Sequence, residues 1–459
     1  EKGDVMPRLF GTNGVRGVVN RELTPELVLR LSASAGHLLG REIAVGRDGR
    51  TSSDMLAKAA ISGLLSVGCQ VHDMGLLPTP TLQYAVKKLG LDGGIMITAS
   101  HNPPEFNGVK VILGDGVEAP REVEERIEEL YFRGGPPLKP WGEVGSVEGF
   151  NPIGIYIDGI LSHVDVEAIR RRRFRIVIDP GNGVAALTAP ELARRLGCEV
   201  YTINADIDGG FPGRGSEPRP ENLGDLSRLV EAVDADLGVA FDGDGDRAIF
   251  VDERGVIHWG DRSFALVAWD YLRRHPGEAI ATPVSSSKMI EEIACKAGGS
   301  VVWTRVGSIV VSRTMLERGI NLGGEENGGI FYGPHQPVRD GGMTLALILD
   351  ILARERRTLS ELLGELPRYV QRKERIPCPN ELKQRVLEAL RERVEAERIE
   401  TIDGVKLWFE DGSWILIRPS GTEPIYRIYA EAETESRLNR MVEEYRRLLE
   451  ELIEEAEAS

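Results

Sequence analysis

Cysteine is scarce. Cys69, Cys198, Cys295 and Cys378 are the only four in 459 residues, and no two form a C-x-x-C pair. That excludes a zinc knuckle and a dense disulfide frame. No apolar run is long enough for a membrane span. The best one, "MTLALILDILA", is short and carries Asp350. The start, "EKGDVMPRLF", lacks the apolar core of a signal peptide, so a cytoplasmic location without a membrane partner is expected. Basic residues are outnumbered, 56 against 72 acidic, and the net charge of −16 repels phosphate backbones. Nucleic acid is therefore not an expected partner, and an anionic substrate would need a local cluster of Arg or Lys. The basic run "IRRRRF" stands alone without interleaved aromatics and reads as a solvated turn. G-x-G-x-x-G and a Walker-type lysine are both missing, so nucleotide binding has no support. Gln is also scarce and Arg far outnumbers Lys, a composition suited to heat. No feature sets an oligomeric state.

What remains is a folded, multidomain chain. Apolar residues make up 41% and charged residues 28%, which places it among globular proteins. Its length exceeds one typical core and implies three or four domains. "LTPELVLRLSASAGHLLG" reads as a helix, with Thr24 as cap, Pro25 at the first position and Leu27, Leu31, Ala35 and Leu38 on one face. "REIAVGRD", "CQVHDMG" and "GGIMITAS" read as strands that alternate with the helices "DMLAKAAISGLLSVG" and "TPTLQYAVKKLG". That alternation is the mark of an α/β sheet, whose ligands gather beyond the carboxyl ends of the strands. The Gly/Pro-rich stretch "FRGGPPLKPWGEVGSVEGFNP" reads as a linker, and the pattern changes again near Pro367. We expect domains over 1–150, 151–255, 256–367 and 368–459. No repeat is visible by eye, although three successive α/β units could be repeats that have drifted apart.

Several stretches carry chemistry. In "DGDGDR", Asp242, Asp244 and Asp246 alternate with glycines and can converge on one point. Two such charges about 4 Å apart repel by about 4 kcal/mol at an effective dielectric near 20, and a divalent cation removes that cost. Oxygen ligands favour a hard ion such as magnesium. The alternative is an acidic surface turn. An EF-hand loop fails because Arg247 stands where that loop needs Gly, and because the flanks "LGVAF" and "AIFV" read as strands. In "RPSGTEP", Arg418 offers a planar fork for a phosphate, Ser420 and Thr422 add hydroxyls, and Gly421 lets the backbone approach an anion. A plain hairpin turn is the alternative. "GGEENGG" sets Glu325, Glu326 and Asn327 between glycines, as a sugar-hydroxyl site or a polar turn. "GTNGVRG" with Arg16, and "GRDGR" with Arg47 and Arg50, can help hold an anion or simply shape turns.

A further stretch, "TASHNPPEFNGVK", places Ser100 beside His101 at the end of a strand. A Ser-His hydrolase does not fit, because Ala99 and Asn102 break the G-x-S-x-G elbow. In extended backbone neighbouring side chains also point opposite ways, so His101 is poorly placed as the base of Ser100. A serine that carries a phosphoryl group fits better. It needs a metal, a phosphate site and a proton shuttle, and the other motifs supply candidates for each.

Taken in order and at their spacings, "TASHNPPEFNGVK", "DGDGDR", "GGEEN" and "RPSGTEP" resemble the α-D-phosphohexomutase family over essentially the whole chain. Within it, the chain is most similar to bifunctional phosphomannomutase/phosphoglucomutase enzymes, with phosphoglucosamine mutases as near relatives. The resemblance implies four domains around a central cleft, three related α/β units with mixed sheets and a smaller C-terminal α+β domain. It implies a phosphoserine at Ser100. It implies one Mg²⁺ per chain, held by Asp242, Asp244, Asp246 and a phosphoserine oxygen. Arg247 would support the phosphoryl group, Lys110 would be the general acid or base, and His101 and Arg16 would assist. Glu325 and Asn327 would bind sugar hydroxyls. Arg418, Ser420, Gly421 and Thr422 would hold the phosphate that is not reacting. The implied reaction interconverts hexose 6-phosphate and hexose 1-phosphate, of mannose or glucose, through a hexose 1,6-bisphosphate. A sugar-phosphate phosphatase is the distant rival. One departure stands out: many relatives have Ser where this chain has Asn327, and His where it has Gly329.

Overall fold

Helix Pro25–Leu39 begins where Thr24 accepts a hydrogen bond from the Leu27 amide, and Pro25 occupies the first turn. Its buried stripe is Val28, Leu31 and Ala35, while Leu27 and Leu38 sit half-buried at its margin. The face is thus rotated from the one read in the sequence, because Val28 rather than Leu27 meets the core. This computed structural model describes residues 8–11, 13–421 and 423–458.

Four sheets follow one another along the chain. The first has six strands, in the order Val15–Val18, Phe106–Leu113, Gly93–Ile97, Glu42–Arg47, Gln70–Leu76 and Val147–Gly149. The second runs Ile257–His258, Ala248–Asp252, Leu237–Phe241, Arg175–Asp179, Glu199–Thr202. The third runs Ser300–Thr304, Ala279–Pro283, Leu322–Gly324, Ile330–Tyr332, Gln336–Arg339. All three are mixed. The fourth, Val370–Pro377, Ile425–Ala432, Trp414–Pro419, Val405–Trp408, Arg398–Glu400, is antiparallel throughout. Helices Lys383–Arg393 and Glu435–Ala458 close its core, and Leu438, Met441, Val442, Tyr445, Leu449 and Leu452 of the latter are buried. The chain is therefore three α/β domains and a smaller α+β domain.

The first three sheets share a plan invisible in the residues alone. In each, a buried strand pairs in parallel on one side and antiparallel on the other. These strands are Gly93–Ile97, Leu237–Phe241 and Leu322–Gly324. The loop leaving that strand leads into its antiparallel neighbour. Ser100 lies in the first such loop, the Asp triplet in the second and Glu325 in the third. Three loops at equivalent places in three repeats thus converge on one region.

The apolar run "MTLALILDILA" forms helix Gly341–Glu355, whose residues Gly341 to Ala353 are all buried. It packs into a core shared by the second and third domains. Asp350 is tolerated there because it accepts from the Asp165 amide at 3.0 Å and from Arg354 at 3.1 Å. Among the described residues no helix is long and apolar enough to cross a membrane. In "IRRRRF", Arg170 bonds Glu167 and Arg172 bonds the Leu352 carbonyl, so these charges tie helix ends together.

Candidate active site

The Ser100 loop is held from below. Asp48 accepts from the Thr98 hydroxyl at 2.7 Å, and Thr98 in turn accepts from the Ser100 amide at 2.9 Å. Arg50 gives its Nε proton to Asp48 at 3.1 Å and its four Nη protons to the carbonyls of Ser100, Asn102, Pro103 and Phe106. All five donors are used, so Arg50 shapes the loop and holds no further anion. Arg47 pairs with Asp54 at 3.4 Å. Of the arginines in the two glycine motifs, only Arg16 turns toward the site.

Ser100 has φ 51°, in the left-handed region. That conformation is strained for a serine and persists only where its surroundings enforce it. It also overturns the extended-backbone argument against His101. With the chain so turned, His101 Nδ1 lies 3.4 Å from Ser100 Oγ. Burial, with Arg247, Arg16 and Arg339 nearby, pushes the imidazole well below its ordinary pKa and holds it neutral.

The Asp triplet forms the hairpin loop between Leu237–Phe241 and Ala248–Asp252. Asp242 accepts from Ser100 Oγ at 2.9 Å, across 142 residues of sequence. Gly243 is required here, since a Cβ on it would lie 2.5 Å from the Ser100 carbonyl oxygen. Asp244 Oδ2 accepts from Thr79 at 2.6 Å and from Lys110 at 3.1 Å. Asp246 Oδ2 accepts from Arg339 at 2.6 Å. Asp244 Oδ1 and Asp246 Oδ1 are buried without a hydrogen-bond partner. In each case a neighbour takes one oxygen and leaves the other without a hydrogen bond. Ligand oxygens of the three aspartates lie within 4.8 Å of one another. Burial, then Asp246 and Asp244, raises the Asp242 carboxyl well above its ordinary value. Burial acts the same way on Asp244, but Lys110, the Thr79 hydrogen bond and Arg339 outweigh it and hold that carboxyl down. Three buried carboxylates with two orphaned oxygens fit a hard divalent cation.

Four cations surround the loop. Lys110 lies 3.1 Å from Asp244, 3.4 Å from Glu118 and 3.5 Å from Asp246. Burial opposes its charge, but these carboxylates prevail and hold the ammonium above its ordinary pKa. Arg16 stands across from Gly108 on the edge strand and donates Nη1 to Asn102 at 2.8 Å. Its buried Nε and Nη2 have no hydrogen-bond partner. Burial, with Arg339 and Arg247 beside it, lowers Arg16 to about 10. Arg247 Nε lies 3.8 Å from Asp246 and 3.9 Å from Asp242. The fourth cation, Arg339, also approaches Glu325 Oε2 at 3.5 Å.

Glu325 thus joins the same cluster, and burial raises its carboxyl pKa. Asn327 does not join it. Its Oδ1 caps the Gly329 amide at 3.2 Å. Glu326 pairs with Lys373 at 2.5 Å. The "RPSGTEP" stretch forms a separate cluster on the fourth domain. Asp403 binds Arg418 at 3.0 Å and the Val306 amide at 2.9 Å, which ties this cluster to the third domain. Ser420 accepts from the Glu423 amide at 3.2 Å, and Gly421 is exposed with open space around it. Thr422 lies outside the described residues.

Sequence reasoning missed Arg339, Thr79, Glu118 and Lys383. Lys383 props the turn after Arg418 by donating to the carbonyls of Ser420 and Glu423 at 2.6 and 2.5 Å. Thr79 opens a helix and looks like an ordinary N-terminal residue. Arg339 ends the short strand Gln336–Arg339, half of whose four residues are polar, so its charge carried little signal.

The chain matches four domain families in order. They are the phosphoglucomutase/phosphomannomutase alpha/beta/alpha domains I, II and III, over residues 7–136, 155–255 and 259–369, and the C-terminal domain over 374–448. It is 45% identical over 454 residues to the phosphoglucosamine/phosphogalactosamine mutase of Sulfurisphaera tokodaii, covering 97% of this chain and 100% of that one. It is 44% identical over 456 residues to the phosphoglucomutase/phosphomannomutase of Thermococcus kodakarensis, covering 98% and 100%. A phosphoglucomutase/phosphomannomutase family protein from Burkholderia thailandensis has a crystal structure that superposes with TM-score 0.87 at 30% identity, over 97% of each chain.

Proposed function

The chain belongs to the phosphoglucomutase/phosphomannomutase family, and we propose that it is a phosphohexomutase exchanging a phosphoryl group between O6 and O1 of mannose or glucose. The observation that carries this reading is the contact of Ser100 with the Asp triplet, 2.9 Å from Oγ to Asp242, beside the orphaned oxygens of Asp244 and Asp246. A nucleophilic serine in a strained turn against a cation site fits phosphoryl transfer, in which catalysis is mainly positioning and charge stabilisation.

In this reading Ser100 carries the phosphoryl group and passes it to a hexose monophosphate. The hexose 1,6-bisphosphate so formed turns over in the site, and its other phosphoryl group returns to Ser100. Asp242, Asp244 and Asp246 would hold one magnesium ion per chain, which supplies positive charge at the transferring oxygens. The unpartnered donors of Arg16 are assigned to those oxygens, with Arg247 beside them. As Ser100 Oγ leaves it must gain a proton, and the sugar hydroxyl must lose one. Lys110, held as an ammonium, is assigned the donor role, and neutral His101 the acceptor role. On the return transfer the roles reverse. Glu325 and Asn327 are assigned to sugar hydroxyls. Arg418, Ser420, Gly421 and Thr422 are assigned to the phosphate that is not reacting.

Amino-sugar phosphates form the second reading, favoured by the name of the 45% identical relative. Phosphorus NMR of mannose, glucose and glucosamine 6-phosphates with the protein, Mg²⁺ and a trace of hexose bisphosphate ranks the substrates. The expected result is conversion to 1-phosphates without release of inorganic phosphate, together with a phosphorylated Ser100 by mass spectrometry. Net phosphate release without isomer formation would replace the mutase with a phosphatase.

A further inference from the structure

We infer that Arg339 is a positioning residue that fastens the sugar-side loop to the Asp triplet, and that Gly329 lacks a side chain in order to admit it. The inference rests on the mutase reading above and assigns a new part to the same site.

Arg339 ends strand Gln336–Arg339, and its side chain is about 4% exposed. One arm of its guanidinium donates to Asp246 Oδ2 at 2.6 Å, and the other approaches Glu325 Oε2 at 3.5 Å. The first contact occupies one oxygen of Asp246 and leaves Oδ1 bare for a cation. The second fixes the buried carboxylate nearest the sugar side. A planar fork can hold two carboxylates in a set relation, and a point charge cannot. The backbone repeats the link, since the Ala248 amide donates to the Gly328 carbonyl at 3.1 Å, one residue beyond the Asp loop and its Arg247.

The two glycines of this loop serve different ends. Gly328 has φ 92°, where an L side chain is strained. Gly329 has no such conformation, so its backbone alone does not require glycine. A Cβ there would lie 2.5 Å from Arg339 Cδ and 2.8 Å from Cγ. The stem of Arg339 passes through the space that a side chain at 329 would fill. A larger residue at 329 and the present course of Arg339 exclude each other.

The test is a double-mutant cycle of Gly329→Ala and Arg339→Ala, with Arg339→Lys as the conservative variant. It is read by kcat, KM for glucose and mannose phosphates, Mn²⁺ affinity by electron paramagnetic resonance, and thermal unfolding. Gly329→Ala is expected to lower kcat/KM tenfold or more in the wild-type background and less than twofold in Arg339→Ala. Arg339→Lys should recover kcat through Asp246 while KM stays raised, because Lys reaches only one carboxylate. Removing the positive charge should leave Mn²⁺ binding as tight or tighter while turnover falls, a split that loss of fold cannot produce. Equal cost of Gly329→Ala in both backgrounds, or Mn²⁺ affinity falling together with the unfolding temperature, would overturn the inference. Mn²⁺ affinity and unfolding are read on the protein alone, so they test the link independently of whether sugar phosphates isomerise.

Discussion

Arg50 donates to the carbonyl oxygen of Ser100 at 2.9 Å, and with its other donors it binds three more carbonyls of the same loop and the Asp48 carboxylate. This guanidinium braces the loop in which Ser100 is left-handed. Arg50→Lys keeps a charge for Asp48 but abandons most of the carbonyls. It should destabilise the protein by about 3 kcal/mol, the scale for leaving buried carbonyl acceptors unsatisfied, and lower kcat at least as severely as KM rises. Urea denaturation and steady-state kinetics check this. Unchanged kcat would show that the strained turn forms without Arg50.

Arg16 presents the opposite balance. Two of its buried nitrogens have no hydrogen-bond partner, and burial lowers its pKa to about 10. Such a cation strains the folded protein and benefits only the reaction. Arg16→Met should leave stability equal or higher by about 1 kcal/mol, in the range of ordinary single substitutions. Turnover should drop by roughly 100-fold, the scale for one donor to a developing charge. Loss of stability together with activity would make Arg16 structural.

The same logic applies to the aspartates. In the chelated protein Asp242, Asp244 and Asp246 repel one another in a buried loop. Asp242→Asn should raise the unfolding temperature of the chelated protein, because an amide escapes the cost that burial and the neighbouring Asp246 and Asp244 place on this carboxyl. It should also remove most of the stabilisation that added Mg²⁺ gives the wild type. Thermal unfolding with and without Mg²⁺ measures both. Equal Mg²⁺ stabilisation in the two proteins would place the cation elsewhere.

These residues show where sequence reading succeeds and stops. Ser100 and the Asp triplet were legible because their chemistry is packed into short runs, "TASHN" and "DGDGDR". Arg50 was visible but ambiguous, since five donors can hold an anion or a loop, and only the fold shows that the loop takes them all. His101 cannot be placed from residue order alone, because extended backbone would turn it away from Ser100, whereas φ at Ser100 is 51°. Thr79 and Arg339 meet the triplet directly and Glu118 reaches it through Lys110, all from other parts of the chain and only through the packing of three domains. The equivalence of the three loops was equally hidden. It resides in strand order, which tolerates complete change of residues.

Lys406 offers a test of the join between the third and fourth domains. Its ammonium donates to the Val284 carbonyl at 2.8 Å and lies 4.0, 4.5 and 4.9 Å from the rings of Trp414, Trp408 and Trp303. Burial pushes it down to about 7, with Arg398 adding to that push while Glu400, Glu431 and Glu291 oppose it. The indole faces also favour the charged form. Where the folded pKa lies below the unfolded value of 10.5, the unfolded chain binds the extra proton, so stability rises with pH through the window from about 7 to 10.5. Below that window the penalty is constant. The stability of wild type relative to Lys406→Met should therefore climb between pH 7 and pH 10 in chemical denaturation. A flat difference would mean that the tryptophans hold the ammonium charged throughout.

Arg418 separates binding from chemistry. It sits on the fourth domain, anchored by Asp403, and is assigned to the phosphate that stays in place during transfer. An interaction made equally in ground state and transition state alters KM and leaves kcat nearly unchanged. Loss of charge-assisted hydrogen bonds of about 1.5–3 kcal/mol corresponds to roughly 10–100-fold in binding. Arg418→Met should thus raise KM by that factor for hexose 1-phosphate and hexose 6-phosphate alike, since each places its unreactive phosphate at the same loop in its own half of the reaction. Arg16→Met should do the reverse, lowering kcat with little change in KM. Steady-state kinetics in both directions distinguish them. A KM effect confined to one direction would mean that the loop reads only one end of the sugar, and that the intermediate does not turn over between equivalent poses.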